Sequence, residues 1–367
     1  MKKAIFFLIL IIIAFLLAAC RWDGSALILA FPQRASGNMQ SSGAESVEIK
    51  ETEDNTKEII TPSGSIPDIL EEIPAEYYSP AECEGTLNKL SYDTWESLSY
   101  EKHTQRLTKD VWVYLPYGYS EDRQYNIFYL SHGGWSDETT IMGTSEKPAE
   151  FKHIIDHAIE DGKMEPMILV MVTYNNTDPQ DSWDYGLAIR LTDRFHNELV
   201  NDIIPAVESR YSTYAEDTSF EGICASRDHR GFGGFSMGSV NTWCTFRYAM
   251  ACFRYFMPMS GNYTTNGQAM AELVREQGFG PKDFFVYAMS GPDDFAYSSF
   301  KNQIDAMGRI TDMFVYGDTE NEGNLAFREM SGYPHGREAS NLYTYNGLQF
   351  FWKNTDGMGN KKVDAAN

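Results

Sequence analysis

The sequence predicts an α/β class, a mostly parallel central sheet flanked by helices, on two observations. Short apolar, β-rich runs alternate with stretches of helical periodicity, the pattern of strands joined by helical crossovers. A glycine-rich pentapeptide with a central serine also falls where a strand should give way to a helix. The 367 residues are 43 % hydrophobic and 14 % aromatic, which supplies one sizeable core with chain to spare.

Taken from the N-terminus, Lys2 and Lys3 precede an unbroken apolar run over residues 4–19 that ends in Leu17-Ala18-Ala19-Cys20. Positive charge, an apolar stretch and small residues before a break are the parts of an export signal. A cysteine at that point is similar to the lipobox of bacterial lipoproteins. Residues 1–20 are therefore expected to be a signal peptide, with Cys20 carrying the lipid. The protein would then sit on the extracellular face of the cell membrane through an N-terminal lipid anchor, or be secreted. From about Gln33 to Pro80 the composition turns to Ser, Gly, Glu, Thr and Pro, too polar to offset the entropy of ordering, and residues 21–80 read as a flexible acidic linker. Residues 356–367 read as a solvated tail.

Residues 81–355 hold the alternating pattern. Strands are expected at 110–115, 127–131, 167–173, 255–260 and 284–290. Helices are expected at 151–159, at 195–211 with Phe195, Leu199 and Ile203 on one face, and at 241–253. In a parallel sheet the active site lies at the carboxyl ends of the strands. The loops after Ser131, Phe235 and Ser290 are thus the ones to inspect.

A net charge of −22 argues against a nucleic-acid partner, which needs clustered Lys and Arg. The cysteines at 20, 83, 224, 244 and 252 match no zinc or thioredoxin spacing, and Cys244 and Cys252 read as buried thiols.

Gly234-Phe235-Ser236-Met237-Gly238 fits G-x-S-x-G. The five positions alone are weak, but a strand before and a helix after make them a nucleophile elbow. A serine hydroxyl attacks only when a base takes its proton, and elbows place acid and then histidine downstream. Of the histidines at 103, 132, 153, 157, 196, 229 and 335, only His335 follows Ser236. Gly291-Pro292-Asp293-Asp294, directly after an expected strand, offers the acid, and pattern does not separate its two aspartates. Met237 N–H and Gly134 N–H are the expected oxyanion donors, which leaves His132 a structural role. Trp135, and Trp183 in the 174–185 loop, are candidate substrate-binding residues at the rim. His153 and His157 stand four apart on one helical face without a third metal ligand, which suits packing better than metal binding.

Residues 125–134, ending in Ser131-His132-Gly133-Gly134, and residues 225–238, with the elbow, resemble the esterase D-like hydrolases of carbohydrate esterase family 1. The feruloyl esterase domains attached to bacterial xylanases are the nearest likeness. Residues 113–119, 205–214 and 256–261 extend the resemblance over roughly 81–353. It implies an α/β-hydrolase fold, no cofactor or metal, and hydrolysis of acyl esters on plant cell-wall polysaccharide or oligosaccharide. It also implies Asp294 as the acid and His335 as the base. One departure stands out: those feruloyl esterases carry aromatic residues straight after the histidine, where this chain has Gly336-Arg337. Acetyl-xylan esterase or acyltransferase activity are the alternatives on the same fold. A carbohydrate-binding surface lipoprotein on an inactive scaffold is the non-enzyme alternative.

Overall fold

The computed structural model describes residues 65–353. The expected signal peptide with Cys20, most of the expected linker and the tail at 356–367 lie outside the described residues.

Eight strands form one sheet: β1 (Thr86–Trp95), β2 (Arg106–Leu115), β3 (Ile127–Ser131), β4 (Ile168–Val172), β5 (Arg230–Phe235), β6 (Tyr255–Met259), β7 (Phe285–Ser290) and β8 (Leu325–Glu329). Their order is β1-β2-β4-β3-β5-β6-β7-β8. β1 pairs antiparallel with β2, and β2 with β4, while the remaining pairs are parallel. The α/β expectation holds, and the chain winds one way from β3 to β4 and the other way from β5 onward. The switch therefore falls between β3 and β5, the place where such sheets open a crevice.

Side chains alternate across the sheet with period two. Ile127 and Tyr129 join one core with Ile168, Val170 and Val172. Phe128 and Leu130 join the opposite core with Leu169 and Met171. The first core is covered by α2 (Tyr185–Glu198), α5 (Met237–Tyr248), α6 (Gly267–Glu276) and α7 (Tyr297–Gly308), the second by α1 (Glu150–Glu160) and α8 (Arg337–Leu348). α3 (Ile204–Glu208) and α4 (Phe220–Ala225) are short.

Three expectations shift. The helix at 195–211 instead starts at Tyr185 and passes through a π turn, Leu199–Ile203, into α3. Pro205 has no N–H and its ring crowds the carbonyl four residues back, so regular α-helix cannot run through it. The helix after the serine starts at Met237 and ends at Tyr248, leaving 249–253 as a turn before β6. Residues 65–80, placed by composition in the linker, pack on the domain. Ile66, Leu70 and Tyr77 are buried there. Asn346 donates to the Glu71 carbonyl and accepts from its N–H, at 2.9 and 2.7 Å, and Ile66 N–H donates to Asp318 O.

Candidate active site

Every expected catalytic side chain lies just past the carboxyl end of a parallel strand. Ser236 follows β5, Asp294 lies on the loop after β7, and His335 lies between β8 and α8. Ser236 takes φ 61° and ψ −118°, a conformation that costs on the order of 1–3 kcal/mol for a residue with a side chain. It is held by its own N–H donating to Met259 O at 2.9 Å. A side chain at Gly238 would run into the Ser131 and His132 carbonyl oxygens, so the helix can pack this closely against β3 only with glycine there.

The three side chains meet. Ser236 Oγ lies 2.7 Å from His335 Nε2, and His335 Nδ1 lies 2.7 and 2.8 Å from the two Asp294 oxygens. A carboxylate only accepts, so Nδ1 carries the proton and Nε2 is the free acceptor for the serine hydroxyl. Asp294 is buried and also accepts from Ala296 N–H at 2.7 Å. Asp293 points elsewhere and accepts from Gly332 N–H at 2.6 Å.

The loop after β3 closes the other side. A β-carbon on Gly133 would stand 3.5 Å from that of Ser236, so this glycine lies against the serine. Gly133 O accepts from His132 Nδ1 at 2.7 Å and from the Tyr174 hydroxyl at 2.8 Å. His132 is buried, stacked on Tyr174 and hydrogen-bonded at Nε2 to Thr173 Oγ1. Burial pushes it down to about 4, so it is a neutral structural group at pH 7. Met237 opens α5, where the first N–H groups have no intrahelical acceptor. Gly134 N–H has no hydrogen-bond partner among the described residues, whereas Trp135 N–H donates to Ser182 O at 3.1 Å.

That last bond ties the Trp135 loop to the loop carrying Trp183. Both tryptophans are more than half exposed, at 65 and 56 %, and Trp135 sits at φ 56°. Phe295, invisible as a site residue in the sequence, is 77 % exposed with its ring 4.2 Å from that of His335. Phe235 lies 4.5 Å from the same imidazole. Only its position next to Asp294 could have marked Phe295 out.

His153 and His157 do not share a site. His157 stacks on Tyr77 and bonds the Ser79 carbonyl. His153 gathers with Glu84 and Asp156, and Lys152 ion-pairs with both of those carboxylates at 2.5 and 2.7 Å, so the cluster contains its own cation. Cys83, Cys224, Cys244 and Cys252 are free thiols, the last two buried.

Comparison with known proteins agrees with this architecture. The family model described as "Putative esterase" matches residues 105–351. Over 253 residues the chain is 39 % identical to endo-1,4-beta-xylanase Y of Acetivibrio thermocellus, covering 67 % of this chain and 22 % of that protein. It is 29 % identical over 170 residues to an endo-1,4-beta-xylanase/feruloyl esterase of Xylanibacter ruminicola, covering 45 % and 20 %. The chain thus spans about a fifth of the length of these curated relatives. Among solved structures, a serine-to-alanine variant of the feruloyl esterase module from Clostridium thermocellum, complexed with sinapinate, matches with TM-score 0.66 at 35 % identity. That match covers 77 % of this chain and 94 % of the module. A ferulic acid esterase from Anaeromyces mucronatus in complex with ferulic acid shares the fold, with TM-score 0.54 at 18 % identity over 76 % of this chain and 96 % of that one.

Proposed function

Because the chain belongs to the esterase family, we propose that it is a serine carboxylic-ester hydrolase that removes feruloyl groups from plant cell-wall polysaccharide. The observation that carries this reading is the continuous Asp294–His335–Ser236 hydrogen-bonded chain, with the serine strained at an elbow.

In the first step His335 Nε2 takes the Ser236 proton as Oγ bonds to the ester carbonyl carbon. Charge developing on the carbonyl oxygen is met by Met237 N–H and Gly134 N–H. Asp294 keeps the proton on Nδ1 and stabilises the imidazolium. The imidazolium then gives its proton to the sugar oxygen as the carbon–oxygen bond breaks, which leaves an acyl-serine. Water, deprotonated by the same nitrogen, releases the acid and restores the serine.

The acyl preference rests on exposed aromatic surface at the rim. Trp135, Trp183 and Phe295 offer flat apolar area for an aromatic acid, and the Xylanibacter ruminicola relative and the Clostridium thermocellum module both carry feruloyl esterase in their names. With Cys20 lipidated, the enzyme would work at the outer face of the membrane.

The test is turnover of methyl ferulate, methyl p-coumarate and acetylated xylan by the chain and by Ser236→Ala. Ferulate turnover that disappears in the variant is the expected result. Wild-type rates in Ser236→Ala would refute the mechanism, and turnover of acetylated xylan alone would replace the feruloyl assignment.

A further inference from the structure

At the end of β5 opposite Ser236, two arginines draw separate pieces of chain together. One guanidinium nitrogen of Arg230 donates to Ile223 O and to Cys252 O, both at 2.8 Å. Arg227 adds bonds to Met250 O and to Phe253 O, each at 3.0 Å. The end of α4, which carries Cys224, is thereby stitched to the turn that precedes β6. At this seam the side chains of Cys224 and Cys252 are each other's hydrogen-bond partner. The other two described cysteines pair differently, Cys83 with Glu160 and Cys244 with Thr192.

The two thiols are unequally placed. Cys252 is buried, whereas Cys224 is half-buried and open to a reagent on one side. The hydrogen bond from Cys252 holds the Cys224 thiol below its ordinary range, outweighing burial, and the Arg230 and Arg227 guanidiniums add to this. The same bond and burial push Cys252 up. Because the thiolate is the attacking form, Cys224 is the member that meets an oxidant first, with Cys252 waiting behind it.

We propose that Cys224 and Cys252 form a cross-linking site, joined as an intramolecular disulfide by a small-molecule disulfide oxidant such as oxidised glutathione. The Cys224 thiolate attacks one sulfur of the oxidant, which expels one glutathione thiolate and leaves Cys224 as a mixed disulfide. Cys252 then loses its proton and attacks the Cys224 sulfur, displacing the second glutathione. Two protein thiols are oxidised, one oxidant disulfide is reduced to two thiols, and both protons end on glutathione. The new bond closes residues 224–252 into a ring that contains β5, Ser236 and α5. A cross-link of this kind restricts the unfolded chain more than the folded one, so it protects the segment that presents the serine from opening. The inference goes beyond the hydrolase reading and stands whether or not the chain turns over any ester.

The experiment treats the full chain with oxidised glutathione or with dithiothreitol, alkylates the remaining thiols, and maps the peptides by mass spectrometry. Thermal unfolding is followed on the same two samples before alkylation. Expected are a peptide linked through Cys224 and Cys252 and a Tm about 5–10 °C higher in the oxidised chain. Cys224→Ser, a mild change at a half-buried position, should lose both the link and the rise in Tm, while Cys83→Ser should keep both. A link through any other cysteine overturns the proposal. So does a Cys224 that stays a glutathione adduct, because its partner would then be out of reach. A link that forms without raising Tm overturns the protection of the Ser236 segment.

Discussion

The Tyr174 hydroxyl donates to the Gly133 carbonyl at 2.8 Å, and that bond governs a group one atom further along the chain. A trans peptide holds its C=O and N–H in one plane, pointing in opposite directions across the C–N bond. With His132 Nδ1–H donating to the same oxygen at 2.7 Å, two buried donors fix the plane that carries Gly134 N–H. Both donors come from the Ser131–His132 and Thr173–Tyr174 ends of adjacent strands β3 and β4, so the sheet sets the orientation of this proposed oxyanion donor.

Tyr174→Phe removes one of the two donors and keeps the ring stacked on His132. Expected is a fall in kcat of about tenfold with KM nearly unchanged, since an oxyanion donor acts chiefly in the transition state. Steady-state kinetics on methyl ferulate measures it. A rise in KM alone would place the role of Tyr174 in substrate binding.

The neighbouring aspartates separate cleanly. Asp294→Asn cannot hold His335 in the required tautomer and is expected to lower kcat by roughly 10³–10⁴. Asp293→Asn alters only the acceptor for Gly332 N–H and should stay within about threefold of wild type. Comparable losses in both variants would move the acid away from Asp294.

Arg230 begins β5, the strand that delivers Ser236, and is clamped below it. Its guanidinium meets Glu208 at 2.6 and 2.7 Å and also donates to Ile223 O, Cys252 O and Ser226 Oγ, with both ionic side chains fully buried. Glu208 further accepts from Tyr129 and Thr213. Removing one partner of such a pair leaves a buried charge, so Glu208→Gln is expected to destabilise the fold by about 3–5 kcal/mol. Urea unfolding checks this, and a change under about 1 kcal/mol would mean that water reaches Arg230.

What the sequence disclosed followed from how directly each residue states its physics. Ile168–Val172 is apolar at every position and could only be a buried strand. β1 carries Lys89, Ser91 and Asp93 among its apolar residues because it is an edge strand, and its charges pair across to Asp110 and Arg106. Locally it looks like loop. His335 was legible as the candidate base through chain order, whereas Asp293 and Asp294 differ only in where the turn after β7 aims them. Residues 65–80 failed for another reason: their ordering depends on Asn346, Asp318 and Arg328, which lie over 240 positions downstream and leave no local trace.

Acid sensitivity should follow from His132. Burial holds it down at about 4, while an unfolded histidine titrates near 6.5. Between those values the unfolded chain binds a proton that the folded chain refuses. Stability therefore falls as pH drops from about 6.5 to about 4, and is unaffected by this group above that window. The slope is at most about 1.4 kcal/mol per pH unit. Glu198 and Asp202 are pushed up, chiefly by burial, and they act with the opposite sign, because the folded state accepts their protons more readily. The wild-type curve alone thus mixes both effects, and a difference isolates the histidine. His132→Asn should unfold more easily at neutral pH, having lost the ring's bonds to Gly133 and Thr173. Its disadvantage relative to wild type should shrink steadily as the pH is lowered from 6.5 to 4. Chemical denaturation at half-unit steps measures that gap, and a constant gap would mean that His132 takes up its proton inside the fold without penalty.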